Sequence, residues 1–118
     1  MSYDLGLYKT KDGDEPLTVD LHREGGTYAM NGTDQAELNI TYNYSPFFRD
    51  TIDPELGIRW LYGRQAKDCI DRLKFAVTKL GTERSEDYWS KTAGNAGHAL
   101  SILLSWAEQH PEGYFHGD

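Results

Sequence analysis

The sequence predicts an α+β fold in which a small antiparallel sheet, built in the N-terminal half, packs against two amphipathic helices in the C-terminal half. Alternating, β-branched and aromatic stretches crowd residues 1–44, and apolar residues recur at helical spacing over 65–80 and again over 92–110. At 118 residues the chain buries roughly two-thirds of its unfolded surface, enough for one core without staples. A single domain over 1–118 is therefore expected.

Tyr3 to Tyr8 and Leu17 to Leu21 alternate and favour strands, and Lys11-Asp12-Gly13-Asp14-Glu15-Pro16 between them is a dense run of turn formers. This predicts a β-hairpin with an acidic tip. Beyond Gly25-Gly26, residues Thr27 to Met30 read as a further strand and Asn31 to Asp34 as a turn. Ala36 to Tyr44 read as a longer strand, rich in β-branched and aromatic side chains. Pro46 ends that strand by removing a ladder donor, and the stretch to Gly57 reads as an irregular connection or a short helical turn. Ile58 to Tyr62 suits a strand or the start of a helix equally.

From Gln65 to Leu80 the apolar residues Ala66, Cys69, Ile70, Leu73, Ala76, Val77 and Leu80 fall on one helical stripe, and Gly81 supplies the stop. Asp68 with Arg72 and Lys67 with Asp71 are spaced for ion pairs on its wet face. Ser85-Glu86-Asp87 ahead of Tyr88-Trp89 reads as a capped short turn. The second helix buries Ala96, Ala99, Leu100, Leu103, Leu104 and Ala107 and stops before Pro111. Tyr114 and Phe115 should hold the tail against the body.

Nineteen acidic against twelve basic side chains leave a net charge of −7, and the imbalance sits in residues 1–59, which carry eleven acidic and five basic groups. Such a chain is repelled by nucleic-acid phosphates and anionic membranes, so direct nucleic-acid binding is not expected, whereas docking on a basic protein surface is favoured. The start lacks the basic and apolar runs of a signal peptide, and no apolar run of about 18 residues suits a membrane span. Cys69 has no partner for a disulfide, and no zinc framework is present, so neither metal nor cofactor is expected.

Several groups are candidate sites. Asn39, Thr41 and Asn43 share one face of the predicted strand and offer donors and acceptors in a row, suited to a planar polar ligand. The small residues Gly94, Ala96 and Gly97 around Asn95 allow close approach of a ligand to the opening of the second helix, whose free amides attract anions, and His98, with Asn95 and Ser101 three residues to either side, is a candidate acid or base there or a structural histidine. The first is also what the solvent-facing polar side of an ordinary half-buried strand looks like, and tight packing against the first helix or the sheet explains the second equally well. His110, His116 and Asp118 are a weaker gathering for a metal, and Cys69 on an apolar stripe is an inert thiol. Asp12, Asp14, Glu15 and Asp20, joined by Asp50, Asp53 and Glu55, are an acidic patch suited to a basic partner, or a set of solvated loops. Trp60, Trp89, Trp106 and eight tyrosines exceed what a small core needs, which points to an oligomer of identical chains or a partner interface.

Asn39-Ile40-Thr41-Tyr42-Asn43-Tyr44, Gly57-Ile58 with Leu61-Tyr62-Gly63, Asp87-Tyr88-Trp89 with Thr92 and Asn95-Ala96, and His110-Pro111 through Gly117-Asp118 form a recognisable set. In them the chain resembles a group of small uncharacterised bacteriophage and prophage proteins, over most of its length from about Gly25. The resemblance carries over no catalytic residue. It implies a viral accessory protein acting in the cytoplasm of a bacterial host, where such proteins block a defence complex or sequester a nucleotide signal. The leading expectation is a non-enzymatic, anti-CRISPR-like inhibitor that docks its acidic and aromatic surface on a basic host protein or ribonucleoprotein. The alternative is a sponge that holds a small nucleotide between the Asn39/Thr41/Asn43 face and the Gly94–Gly97 opening, and a third is a small nucleotide-processing enzyme using His98 or the Asp87 region.

Overall fold

The computed structural model describes residues 2–22, 32–87 and 90–118, so the expected strand at 27–30, Asn31 of the turn before it reaches Gly32, and Tyr88-Trp89 lie outside the described residues. The α+β architecture is as expected. Strands β1 (Ser2–Tyr8), β2 (Thr18–His22), β3 (Thr33–Gln35) and β4 (Glu37–Thr41) come first, then helices α1 (Ser45–Thr51), α2 (Ile70–Leu80) and α3 (Ala93–Gln109), and finally strand β5 (Tyr114–Gly117). A three-stranded antiparallel sheet has the order β4-β1-β5, and β2 pairs with β3 in a separate two-stranded sheet.

The expected hairpin of the first two strands closes only at its base. Lys9 N donates to Glu15 O, Tyr8 bridges Pro16, and Leu17 N donates to Leu7 O at 2.9 Å, after which β2 departs to β3. Pro16 has no N–H to extend the ladder. The backbone of Ala36 then takes the place that β2 vacates, accepting from Leu7 N at 2.8 Å and donating to Leu17 O at 2.9 Å. Gly6 is the residue that allows this approach, since a Cβ there would lie 2.4 Å from Ala36 O.

β1 thus becomes the central strand, with Leu5 opposite Leu38 on one side and Leu7 opposite Phe115 on the other. The tail does more than lie against the body: it supplies a strand. Its outer edge is closed in turn by the loop after residue 62, through Gly63 N to Phe115 O and Phe115 N to Arg64 O. The sheet therefore needs both ends of the chain.

The strand expected to run to Tyr44 stops at Thr41. The Thr41 hydroxyl accepts from Asn43 N at 3.2 Å and turns the chain into a 3₁₀ turn over Tyr42–Tyr44, which Pro46 continues into α1 by occupying its first turn. Tyr44 and Phe48 are thereby driven into the core. Residues 57–61 form a second 3₁₀ turn, and the first long helix begins with a third over Ala66–Asp68 before α2 proper starts at Ile70. Gly81, at φ 76°, ends α2 where only glycine is at ease. Arg72 is not held by Asp68 as the spacing suggests: its guanidinium stacks over the Trp60 ring at 4.1 Å and donates to Ile52 O at 2.6 Å.

Helices α2 and α3 pack against each other through Leu73, Ala76, Leu100 and Leu103, all fully buried, and the sheet closes the core with Leu5, Leu7 and Ile40. No helix among the described residues is long and apolar enough to cross a membrane.

Candidate functional site

Where β1 begins, five parts of the chain leave a cleft of about 480 Å³. Tyr3 comes from β1, Tyr42 and Asn43 from the first 3₁₀ turn, Ser45, Pro46 and Arg49 from α1, Arg59 from the second 3₁₀ turn and Lys91 from the approach to α3. None of these described lining residues is acidic, and three are cationic, in a protein whose net charge is −7. Among the described residues no side-chain carboxylate lies within ion-pairing distance of Arg49, Arg59 or Lys91; the side-chain ion pairs are Lys9 with Glu15 and Lys74 with Glu108.

Arg59 is the fixed element. Its guanidinium sits 5.0 Å from the Tyr3 ring centroid and 5.7 Å from that of Tyr42, whose rings meet edge to face at 4.6 Å. It donates from Nη2 to the Tyr42 hydroxyl at 3.2 Å and from Nε to Asp118 O at 3.3 Å. The Tyr3 and Ser45 hydroxyls share one hydrogen bond at 2.6 Å, which leaves one of their two protons to donate elsewhere; Tyr42, accepting from Arg59, keeps its own. Tyr62, whose phenol feels the Arg59 charge, is nonetheless pushed far above its ordinary value, first by burial, and stays neutral. The cleft therefore presents donors and positive charge, with no acidic side chain among its described lining residues.

Among the described ligand-site candidates, Asn43, exposed on its 3₁₀ turn, lines this cleft, together with two of the tyrosines. Asn39 is half-buried and donates to Ser2 Oγ and Asp4 Oδ1, both at 2.6 Å, across the β1–β4 pair, and Thr41 is buried as the cap of the turn. The strand ends at Thr41, so Asn43 does not continue the face that Asn39 and Thr41 share.

The opening of α3 is taken up by the chain itself. A Cβ on Gly94 would lie 1.9 Å from Glu83 O and one on Gly97 1.7 Å from Gly81 O, so the small residues admit backbone. Asn95 is buried; its Oδ1 accepts from Ser85 N at 2.9 Å, and its Nδ2 lies 3.0 Å from Ser85 Oγ, Asp87 O and Ser90 O. It ties Ser85, Asp87 and Ser90 to α3, just ahead of Lys91. His98 is half-buried one turn further along, where its carbonyl accepts from the Ser101 hydroxyl at 2.6 Å.

The seven acidic candidates belong to two parts of the fold. Asp12, Asp14 and Glu15 lie in the loop beyond Tyr8, with Asp20 following on β2, and Glu15 is paired with Lys9 at 2.9 Å. Asp50 lies in the last turn of α1, whose Ser45 is bonded to Tyr3 at the other end of β1, and Asp53 and Glu55 follow it. Asp53 caps its own loop, accepting from Glu55 N at 3.0 Å and Leu56 N at 2.7 Å. His110, His116 and Asp118 serve three separate contacts, with Thr18 O, the Tyr8 ring and Asp4 N. Burial pushes the Cys69 thiol up to about 11, which keeps it protonated and unreactive at neutral pH. Trp106 is in the core, and half-buried Trp60 is held between Arg64 and Arg72 at 3.9 and 4.1 Å.

The cleft itself escapes a reading of the sequence. Its residues are spread from position 3 to position 91, and Arg49 and Arg59, two isolated cations in the acidic half, give no sign in their spacing that they converge. Compared with known proteins, the chain matches no family model, no curated protein and no solved structure.

Proposed function

We propose that this is a non-enzymatic binding protein that captures a small phosphate-bearing molecule in the cleft. The observation that carries this reading is a lining of three cations and spare hydroxyl protons without a described carboxylate among them. Donors and charge in excess favour a ligand rich in anionic acceptors, and phosphate oxygens answer both needs. The volume of about 480 Å³ falls within the roughly 300–1,000 Å³ typical of small-molecule sites.

Together with the resemblance to phage proteins, the reading is of a viral accessory protein that sequesters a small molecule in the bacterial cytoplasm. An inhibitor acting through an acidic surface draws less support, because the carboxylates meant to form that surface are divided between two parts of the fold.

Titration of the full chain with ribose 5-phosphate tests the proposal. Saturable binding is expected that weakens as salt is added, since the Debye length is only about 8 Å at physiological ionic strength. Arg49→Gln and Lys91→Gln should each weaken it about tenfold, the worth of one charge-assisted hydrogen bond. Absence of binding even at low salt would contradict the proposal.

A further inference from the structure

Trp60, outside the cleft, carries a cation on each face. The guanidinium carbons of Arg64 and Arg72 lie 3.9 and 4.1 Å from its ring centroid. Atoms so close to the centroid stand over a ring face, and one face has no room for two guanidiniums, so the indole is the middle layer of three. Each arginine uses one donor to hold the stack: Arg64 Nε donates to Trp60 O at 2.7 Å and Arg72 Nη1 to Ile52 O at 2.6 Å. Each keeps an intact pair of parallel N–H groups, Nη1 with Nη2 on Arg64 and Nε with Nη2 on Arg72, the fork that a carboxylate fills with both oxygens. Neither is ion-paired with a described carboxylate, although Asp68 stands four residues from both along the chain.

Apolar side chains that folding leaves in water lie close by in the chain. Leu56, four residues before Trp60, and Phe75, one helical turn beyond Arg72, are 54% and 58% exposed, and the third such side chain among the described residues is Leu21 on β2. Tryptophan and arginine beside apolar surface are the residues that dominate protein interfaces, and a small anion would leave that surface wet. The occupant is therefore a protein that brings carboxylates to two forks. This chain has them. Asp12 and Asp14, exposed on either side of Gly13 in the loop between β1 and β2, make no ion pair or side-chain hydrogen bond with a described residue, and Asp20 and Leu21 follow on β2. Two forks without carboxylates and two carboxylates without cations thus stand on one molecule and do not meet within it. From this complementarity we infer that a second copy of the chain covers the Trp60 stack, Asp12 and Asp14 of each copy entering the Arg64 and Arg72 forks of the other. The exchange is reciprocal, so it closes as a two-fold dimer.

Sedimentation velocity of the full chain, from about 10 μM to about 1 mM at low salt, tests the inference. A dimer should form within that range and weaken at least about tenfold in about 1 M salt, where the Debye length is only about 3 Å. Asp12→Asn with Asp14→Asn should weaken it at least about tenfold, the loss of charge from two carboxylate pairs. That variant loses no contact within the chain, so its melting temperature, read at a dilution where both proteins are monomeric, should be unaltered. Arg64→Gln with Arg72→Gln should weaken the dimer as much, and an equimolar mixture of the two folded variants should associate more tightly than either alone, because one keeps the forks and the other the carboxylates. A monomer throughout the range would overturn the inference. So would a dimer indifferent to salt or to the loss of Asp12 and Asp14, and so would a mixture that associates no better than its components.

Discussion

Gly97→Ala should destabilise the protein by at least about 3 kcal/mol and lower its melting temperature by about 10 °C. Alanine is ordinarily the better helix residue, by about 1 kcal/mol in an open position. Here the added methyl would stand 1.7 Å from Gly81 O, 2.9 Å from Gly81 C and 3.0 Å from Leu80 Cβ. No rotation relieves such a contact, because a Cβ has no torsion and two of the three neighbours are backbone. Either α3 moves away from the end of α2 or the turn at Gly81 is rebuilt, and Gly81 itself needs its positive φ of 76°. Both routes open the contact between the two helices on which the core depends. Urea denaturation followed by circular dichroism reads the loss directly; an unchanged midpoint would show that the close packing of this helix opening is not what holds α2 and α3 together.

The second large effect is on binding. Arg59→Gln should weaken the phosphate-bearing ligand about a hundredfold, more than loss of Arg49 or Lys91, because Arg59 alone is held in place before the ligand arrives. Its position is set from three directions, by the Tyr3 and Tyr42 rings, the Tyr42 hydroxyl and the carbonyl of Asp118. Folding stability should fall as well, by about 1 kcal/mol for the lost ring contacts and hydrogen bonds. Arg59→Lys separates the two consequences. Lysine restores the charge but neither the fork of donors nor the flat face over the rings, so affinity should recover only in part. Equal affinities in Arg59→Lys and the unmodified protein would mean that charge alone, and not the fixed guanidinium, holds the ligand.

The two long helices are legible in the sequence because their apolar stripes are local, and the stop at Gly81 and the position of Pro111 bound them. Strand pairing is legible only where neighbours in sequence are neighbours in space. Nothing near Tyr114 announces that it will lie beside Tyr8, and the missing N–H of Pro16 was a signal against a full hairpin that the alternation of Leu17 to Leu21 outweighed. Thr41 read as one more β-branched strand residue, although its hydroxyl, followed by Pro46, is equally a helix cap; that single choice decides whether Asn43 shares a face with Asn39 or faces the cleft. Asn95 reads in the sequence as a ligand contact at the helix opening, whereas in the fold its amide is turned inward to hold Ser85, Asp87 and Ser90, partners that local spacing does not announce. The cleft is the least legible feature, since its cations come from α1, a 3₁₀ turn and a connection that only the fold brings together.

The central claim is that the cationic cleft at the start of β1 is where the ligand binds. Chemical-shift mapping of the isotopically labelled full chain during titration with ribose 5-phosphate tests it most directly, because the Nε–H groups of Arg49 and Arg59 give their own signals. Those two signals and the amides of Tyr42, Asn43 and Arg49 should shift together and saturate together. Shifts confined to the opening of α3 around Asn95 and His98, or no shifts at millimolar ligand, would contradict it.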